Sequence, residues 1–355
     1  MGQGSCEGSR PGQWRRDRRV TGGSVEGMKI GVCAWSFTGA HAETGSEFDP
    51  HTSDGLADLA THHGLASIEG ASGWWDVDDE AEIGRFRQRL STEQLGVFVD
   101  TGGHDYATNI EPLRQAIDVA VAVGSSVVRT TISRLLEGDR RSLGADGWRA
   151  HLQGLVEPLK SVMDVAETAN IDVGIENHQD LCSHELMWLC EQVGNDRLGV
   201  TMDVGNAYAV GETPIDFARR ILPRLKHVHL KDYTVHGNET GFRLKRCALG
   251  DGIVDWPAMI ALFDAETPHV QGCIELGATQ ARHIQLFEPD WWSTYPERPF
   301  VPDAICAMAD LYRADQRGAD WRTPHECEAD AATRAQYEMQ QFEQSVSYLQ
   351  TISAI

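Results

Sequence analysis

From Met28 onward, short β-rich apolar runs alternate with longer stretches that carry apolar residues at helical spacing. That alternation is the mark of a parallel α/β fold. Eight strand candidates cover 29–35, 65–69, 96–100, 126–131, 172–176, 198–203, 227–231 and 270–275. Amphipathic segments lie between them, among them 109–123 and 152–169, the second ending at the turn residue Asn170. Eight units of this kind favour a closed (β/α)8 barrel, a single domain over 28–355. The alternative, an open doubly wound sheet in its dinucleotide-binding form, lacks the G-x-G-x-x-G turn after the first strand. The last helical segment, 336–351, begins about sixty residues after the eighth strand, so 278–330 reads as an insertion at the catalytic end. Its Trp291, Trp292, Tyr295, Pro296, Pro299 and Pro302 suggest a stiff apolar cover that brings an aromatic ring to a substrate or a partner.

Charge narrows the function. The chain carries a formal charge of −22, while the first 27 residues hold five arginines against three acids. The remainder is more acidic still, which argues against nucleic acid and anionic membranes as partners. That leader has Arg15, Arg16, Arg18 and Arg19 with no apolar segment behind them, unlike a secretory signal. It is expected to be a disordered tail or an over-long start, with Met28 the beginning. Eight cysteines without a C-x-x-C pair fit reduced thiols and a cytoplasmic location.

Four strand candidates end in a residue able to bind metal: Glu176 in I-E-N-H, Asp203 in M-D-V-G, His229 in H-V-H-L-K-D and Glu275 in I-E-L-G. In an eight-stranded barrel the C-terminal strand ends meet on one rim, so residues 27, 26 and 46 positions apart converge. Three carboxylates and an imidazole suit one divalent ion, Mn²⁺ first, with Mg²⁺, Co²⁺ or Zn²⁺ as alternatives. Any one strand-end acid is as well explained by capping or ion pairing; four on consecutive strands are not. Alternation along the seventh strand is read as sending His227 and His229 in different directions, with His229 facing the metal and His227 packed or at the surface.

These four motifs resemble the sugar epimerase and isomerase branch of the xylose isomerase-like TIM barrels, over residues 28–277 and the last helix. The resemblance implies metal binding by Glu176, Asp203, His229 and Glu275, with Glu176 and Glu275 also flanking the reacting carbon as catalytic acid and base. Residues 246–256, with Gly250, Gly252, Asp255 and Trp256, are similar to the family's G-x-G-x-x-D-W loop. Asn206 stands where many relatives have a histidine, which removes one substrate contact and speaks against the trinuclear zinc branch.

Around the rim, Trp35, Glu69, Arg129, His178, Lys231 and Arg246 are candidate substrate-binding residues. Trp35 equally reads as barrel-mouth core, and Glu69 gains weight from the Gly-rich loop that follows it. The expected activity is a metal-dependent isomerase or epimerase of a keto-sugar or cyclitol, passing through a cis-enediolate. A lyase, either a dehydratase or a 3-keto-glycoside or C-glycoside deglycosidase subunit, shares the first step and is the alternative. A non-catalytic sugar-binding barrel is the third reading. The assembly expected is a homo-oligomer or, under the lyase reading, a pairing with a small partner subunit.

Overall fold

The structure is a computed structural model that describes residues 27–296 and 301–355. The leader expectation, apart from residue 27, and Pro299 therefore lie outside the described residues. In chain order come β1 (Ile30–Cys33), β2 (Ser67–Ala71), β3 (Gly96–Gly103), β4 (Val127–Thr131), β5 (Asp172–Glu176), β6 (Leu198–Asp203) and β7 (Leu225–Leu230). A hairpin, β8 (Asp232–Gly237) and β9 (Phe242–Cys247), precedes β10 (Gly272–Ile274), and β11 (Arg282–Ile284) follows. β1 to β7 and β10 form a closed barrel in which every neighbouring pair is parallel. The pairing of β1 with β10 closes it, Gly31 opposite Cys273, and so decides against the open sheet.

The crossover helices follow from their sequences. Glu111–Val123 starts with proline in its first turn, where no intrahelical donor is lost, and stops at Gly124, whose φ of 82° favours glycine. Gly144–Ala169 ends at Asn170 in the same left-handed region. This helix begins eight residues before the periodicity at 152, because Trp148 is buried there against the Arg140 guanidinium, 4.2 Å from its ring. Tertiary packing overrides the loop-like composition of Gly144, Asp146 and Gly147.

The span between the seventh and eighth barrel strands, expected as one unit plus a loop, contains the β8–β9 hairpin. Phe242 and Leu244 are buried while Arg243 and Lys245 are half-buried, a period-two pattern of a one-sided antiparallel sheet. The loop after β9 is tied to Asp232. Its carboxylate accepts from Gly250 N at 3.1 Å, Val254 N at 3.1 Å, Tyr233 N at 2.9 Å and Trp256 Nε1 at 3.0 Å. A Cβ on Gly252 would lie 2.1 Å from Asp232 Oδ1, so only glycine fits. The glycines and tryptophan of this motif thus wrap a buried carboxylate.

The insertion has structure of its own. β11 pairs antiparallel with β9, and the helix Val301–Ala314 precedes the last helix, Ala331–Thr351. Trp291, Trp292 and Tyr295 do not line the cavity at the barrel mouth. Trp291 and Tyr295 are buried against Arg141 and Arg140, the latter guanidinium 4.0 Å from the Tyr295 ring, and Trp292 packs on Gly211. The expected aromatic cover over the substrate is therefore corrected. Rings this large are worth more buried beside a guanidinium than exposed at a rim.

Candidate metal centre and active site

β5, β6 and β7 each deliver one ligand-type residue to the same end of the barrel: Glu176, Asp203 and His229, all buried. Asp203 and His229 are register partners across β6 and β7. One ligand atom from each of the three lies within 4.8 Å of the others. Glu176 Oε1, Asp203 Oδ1 and His229 Nδ1 are buried without a hydrogen-bond partner, although Glu176 Oε2 stands 3.6 Å from His229 Nδ1. Buried oxygens and nitrogens left unpaired carry a desolvation cost that a coordinated cation removes. Two carboxylates and an imidazole so arranged fit a divalent metal ion.

Glu275, just past β10, sits apart from this trio. Its Oε1 accepts from Gly277 N at 2.7 Å and its Oε2 pairs with Lys231 Nζ, which also lies 2.7 Å from Asp203 Oδ2. Lys231 thus bridges two of the four expected ligands. Arg129 bridges one expected ligand to a further acid, joining Asp100 Oδ1 at 2.6 Å to Glu176 Oε2. Asp100 in turn accepts from Trp35 Nε1. The alternation of cations and carboxylates sets the electrostatics. Burial would raise the Glu176 carboxyl, but Arg129, His178, His229 and Lys231 bring it down to about 2. Burial likewise opposes ionisation of Glu275, and Lys231 and His229 lower it. His178 is pushed down to about 4 by burial, so it is a neutral imidazole at the cavity.

A cavity of about 290 Å³ opens over these groups, lined among others by Trp35, Arg129, Glu176, His178, Lys231 and Glu275. Two candidates are absent from it. Glu69 is completely buried inside the barrel, its Oε2 2.8 Å from His229 Nε2 and 3.1 Å from His227 Nε2. No residue of the Gly-rich loop after Glu69 lines the cavity, and the carboxylate meets the two histidines instead. Arg246 is also buried; its Nε donates to Gln341 Oε1 at 2.8 Å and its guanidinium faces Glu338 on the last helix. It holds the hairpin to that helix.

The divergence expected for His227 and His229 is wrong for a simple reason. Strand alternation has a period of two, so positions two apart share a face. Both histidines point into the barrel and meet the same Glu69 oxygen. His227 is the deeper one, its ring 4.3 Å from that of Phe98.

Other contacts give no sequence signal alone. Asn177 clamps the Asp203 backbone, accepting from its N at 2.7 Å and donating to its O at 2.9 Å. Asn206 Nδ2 donates to Asp203 Oδ2 at 2.6 Å while its Oδ1 accepts from Tyr233 and Gln179. The residue that departs from the family pattern thus orients the carboxylate. Asp100 and Arg282 also join the site, one as the far partner of Arg129 and the other from the insertion.

A family model described as the xylose isomerase-like TIM barrel matches residues 37–278. Among curated proteins, the chain is 25% identical over 182 residues to the uncharacterized protein YihM of Escherichia coli (strain K12), covering 51% of this chain and 52% of that protein. It is 24% identical over 181 residues to a 3-oxo-isoapionate decarboxylase of Pectobacterium atrosepticum, covering 50% and 60%. The matches therefore span little more than half the length of these relatives. Among solved structures, a D-psicose 3-epimerase superposes with a TM-score of 0.58 at 13% identity, over 92% of this chain and all of the other, a likeness of fold. Among the described residues no helix is long and apolar enough to cross a membrane.

Proposed function

The chain belongs to the xylose isomerase-like TIM barrel family, and from that premise we propose that it is a metal-dependent isomerase or epimerase of a keto-sugar or cyclitol. One observation carries the reading: Glu176, Asp203 and His229 turn unpartnered buried ligand atoms toward one another beside a cavity that Glu176 and Glu275 both line. Glu176, Asp203 and His229 would hold the ion, and Glu275 would join them only by giving up its pairing with Lys231; manganese is preferred among Mn²⁺, Mg²⁺, Co²⁺ and Zn²⁺ because the donors are mostly oxygen. When bound, such an ion supplies Lewis-acid polarisation of the substrate ketone and its neighbouring hydroxyl.

The remaining chemistry is assigned to side chains. Glu176, kept ionised by Arg129, accepts the proton on the carbon next to the ketone, leaving the electron pair in an enediolate. Glu275 relays the second proton to the other side of the carbon, taking it from the Lys231 ammonium paired with its carboxylate, and solvent restores both groups. The Lys231 ammonium faces the developing negative charge, and neutral His178 offers a hydrogen bond to a hydroxyl. Trp35, about half exposed at the mouth, offers a flat apolar face to the sugar ring.

The lyase reading keeps one support, the similarity to a decarboxylase. Its other motive, an aromatic insertion covering a flat aglycone, is lost with Trp291 and Tyr295 buried elsewhere. The test is solvent exchange. Incubated in deuterated water with Mn²⁺ and a panel of keto-sugars and inososes, the protein should incorporate deuterium at one carbon of a recovered substrate and yield a product isomeric with it. Glu176→Gln and Glu275→Gln should each lower exchange at least 100-fold. A lighter product would turn the assignment to a lyase, and binding without exchange would leave only a sugar-binding barrel.

A further inference from the structure

The cavity takes one cation from outside the family-matched segment. Arg282, on β11 of the insertion, lines it together with Thr279, Arg129, Glu176 and Lys231. The other two cations there are committed: Arg129 to Asp100 and Glu176, Lys231 to Asp203 and Glu275. Arg282 is not. Its nearest carboxylate, Glu137 Oε2, lies 3.8 Å from Nη1, and neither that oxygen nor Arg282 Nε has a hydrogen-bond partner. The side chain is only 16% exposed, so water satisfies it poorly. Burial also raises the Glu137 carboxyl, which weakens its hold on the opposing charge. A guanidinium with a free edge, fixed on a strand paired to β9, is built to take two oxygens of an anion side by side.

We propose that Arg282 binds an anionic group on the substrate, so that the enzyme acts on a carbohydrate acid, or on a sugar phosphate, in preference to a neutral sugar. The inference rests on the sugar-enzyme reading above and adds the charge of the substrate to it. It also gives the insertion a role: the barrel supplies the chemistry and β11 the end-group recognition. Glu137 acts as the placeholder that the incoming anion displaces. The cavity volume, near the lower end of the range for ligand pockets, suits a single sugar unit with its charged end at Arg282.

Calorimetric titration of the Mn²⁺-loaded protein with matched ketoses differing only at the terminal carbon tests this: D-fructose, D-fructuronate and D-fructose 6-phosphate, with the D-tagatose series alongside. In at least one series an acid or phosphate should bind at least tenfold tighter than the neutral ketose, and whichever is tighter identifies the anion. Arg282→Gln should lose that preference, Arg282→Lys should recover part of it, and Glu137→Gln should tighten anion binding two- to threefold, all with unchanged manganese content. Equal or weaker binding of every anionic member, or a preference that survives Arg282→Gln, overturns the inference. Manganese content and deuterium exchange in the unmodified protein report separately on the functional reading, so its failure would be visible on its own.

Discussion

At the scale of single residues, the informative side chain is Glu69. A histidine that ligates metal through one ring nitrogen needs the other nitrogen fixed by an acceptor, which sets both tautomer and ring angle. Glu69 Oε2 does this for His229 Nε2 and leaves Nδ1 facing Glu176 and Asp203. Glu69→Gln should weaken manganese binding about 10- to 100-fold by the usual effect of such outer contacts. His229→Ala should abolish binding, whereas His227→Ala should keep it within about tenfold and act chiefly on stability, costing roughly 1–3 kcal/mol for a lost buried hydrogen bond and ring packing. Competition against a fluorescent chelator and urea unfolding read the two effects. Equal metal loss in both histidine variants would mean that His227 is itself a ligand.

At the scale of elements, the turn after β5 shows how burial couples stability to pH. Asp180 is wholly buried, and burial pushes its carboxyl up to about 7 although Ser133 Oγ donates to it and Arg140 is near. Between the ordinary carboxylate range and about 7, the folded protein holds a proton that the unfolded chain has released. This group's contribution to stability therefore falls as pH rises through that window. Asp180→Asn removes the titration. The variant should gain on the wild type between about pH 5 and about pH 8, by ~1–3 kcal/mol given ~1.4 kcal/mol per pH unit up to the folded value. Thermal unfolding at several pH values checks this, and a gap that shrinks toward pH 8 would contradict the assignment.

For the whole molecule, the ends of the described chain are joined by one carboxylate. Glu338 on the last helix accepts from Thr38 N at 2.7 Å and Gly39 N at 3.0 Å, just past β1, and faces Arg246 of β9 at 3.6 Å. Phe342 of the same helix meets Phe37 edge-on, ring centroids 5.3 Å apart. Burial would raise the Glu338 carboxyl, but Arg246, Thr38 and Gly39 together hold it below its ordinary value. The sign is opposite to that of Asp180: the stabilisation is present above the unfolded carboxylate range and is lost as pH falls through the folded value. Glu338→Gln should be less stable than wild type at neutral pH, with the difference narrowing on acidification. Denaturant titrations at pH 7 and below about pH 4 measure it. A constant difference would show that the amide-to-carboxylate bonds, not the charge, are what matter.

The order of the barrel was written in local sequence, because strand and helix periodicities are properties of neighbours. β5 and β6 occupy the bounds that the apolar runs set, and the strand-end acids Glu176 and Asp203 were visible as such. Which strand-end residues touch is a different kind of fact. Lys231 between Asp203 and Glu275, Arg129 between Asp100 and Glu176, and Glu69 beneath two histidines each join strands distant in the chain. No local pattern encodes such a pairing. The same holds for Trp291 and Tyr295, whose composition announced a binding surface while their burial beside Arg141 and Arg140 made them core. Residue type fixed what each side chain could do; the closed barrel, by bringing eight strand ends to one rim, decided which partner it would do it with.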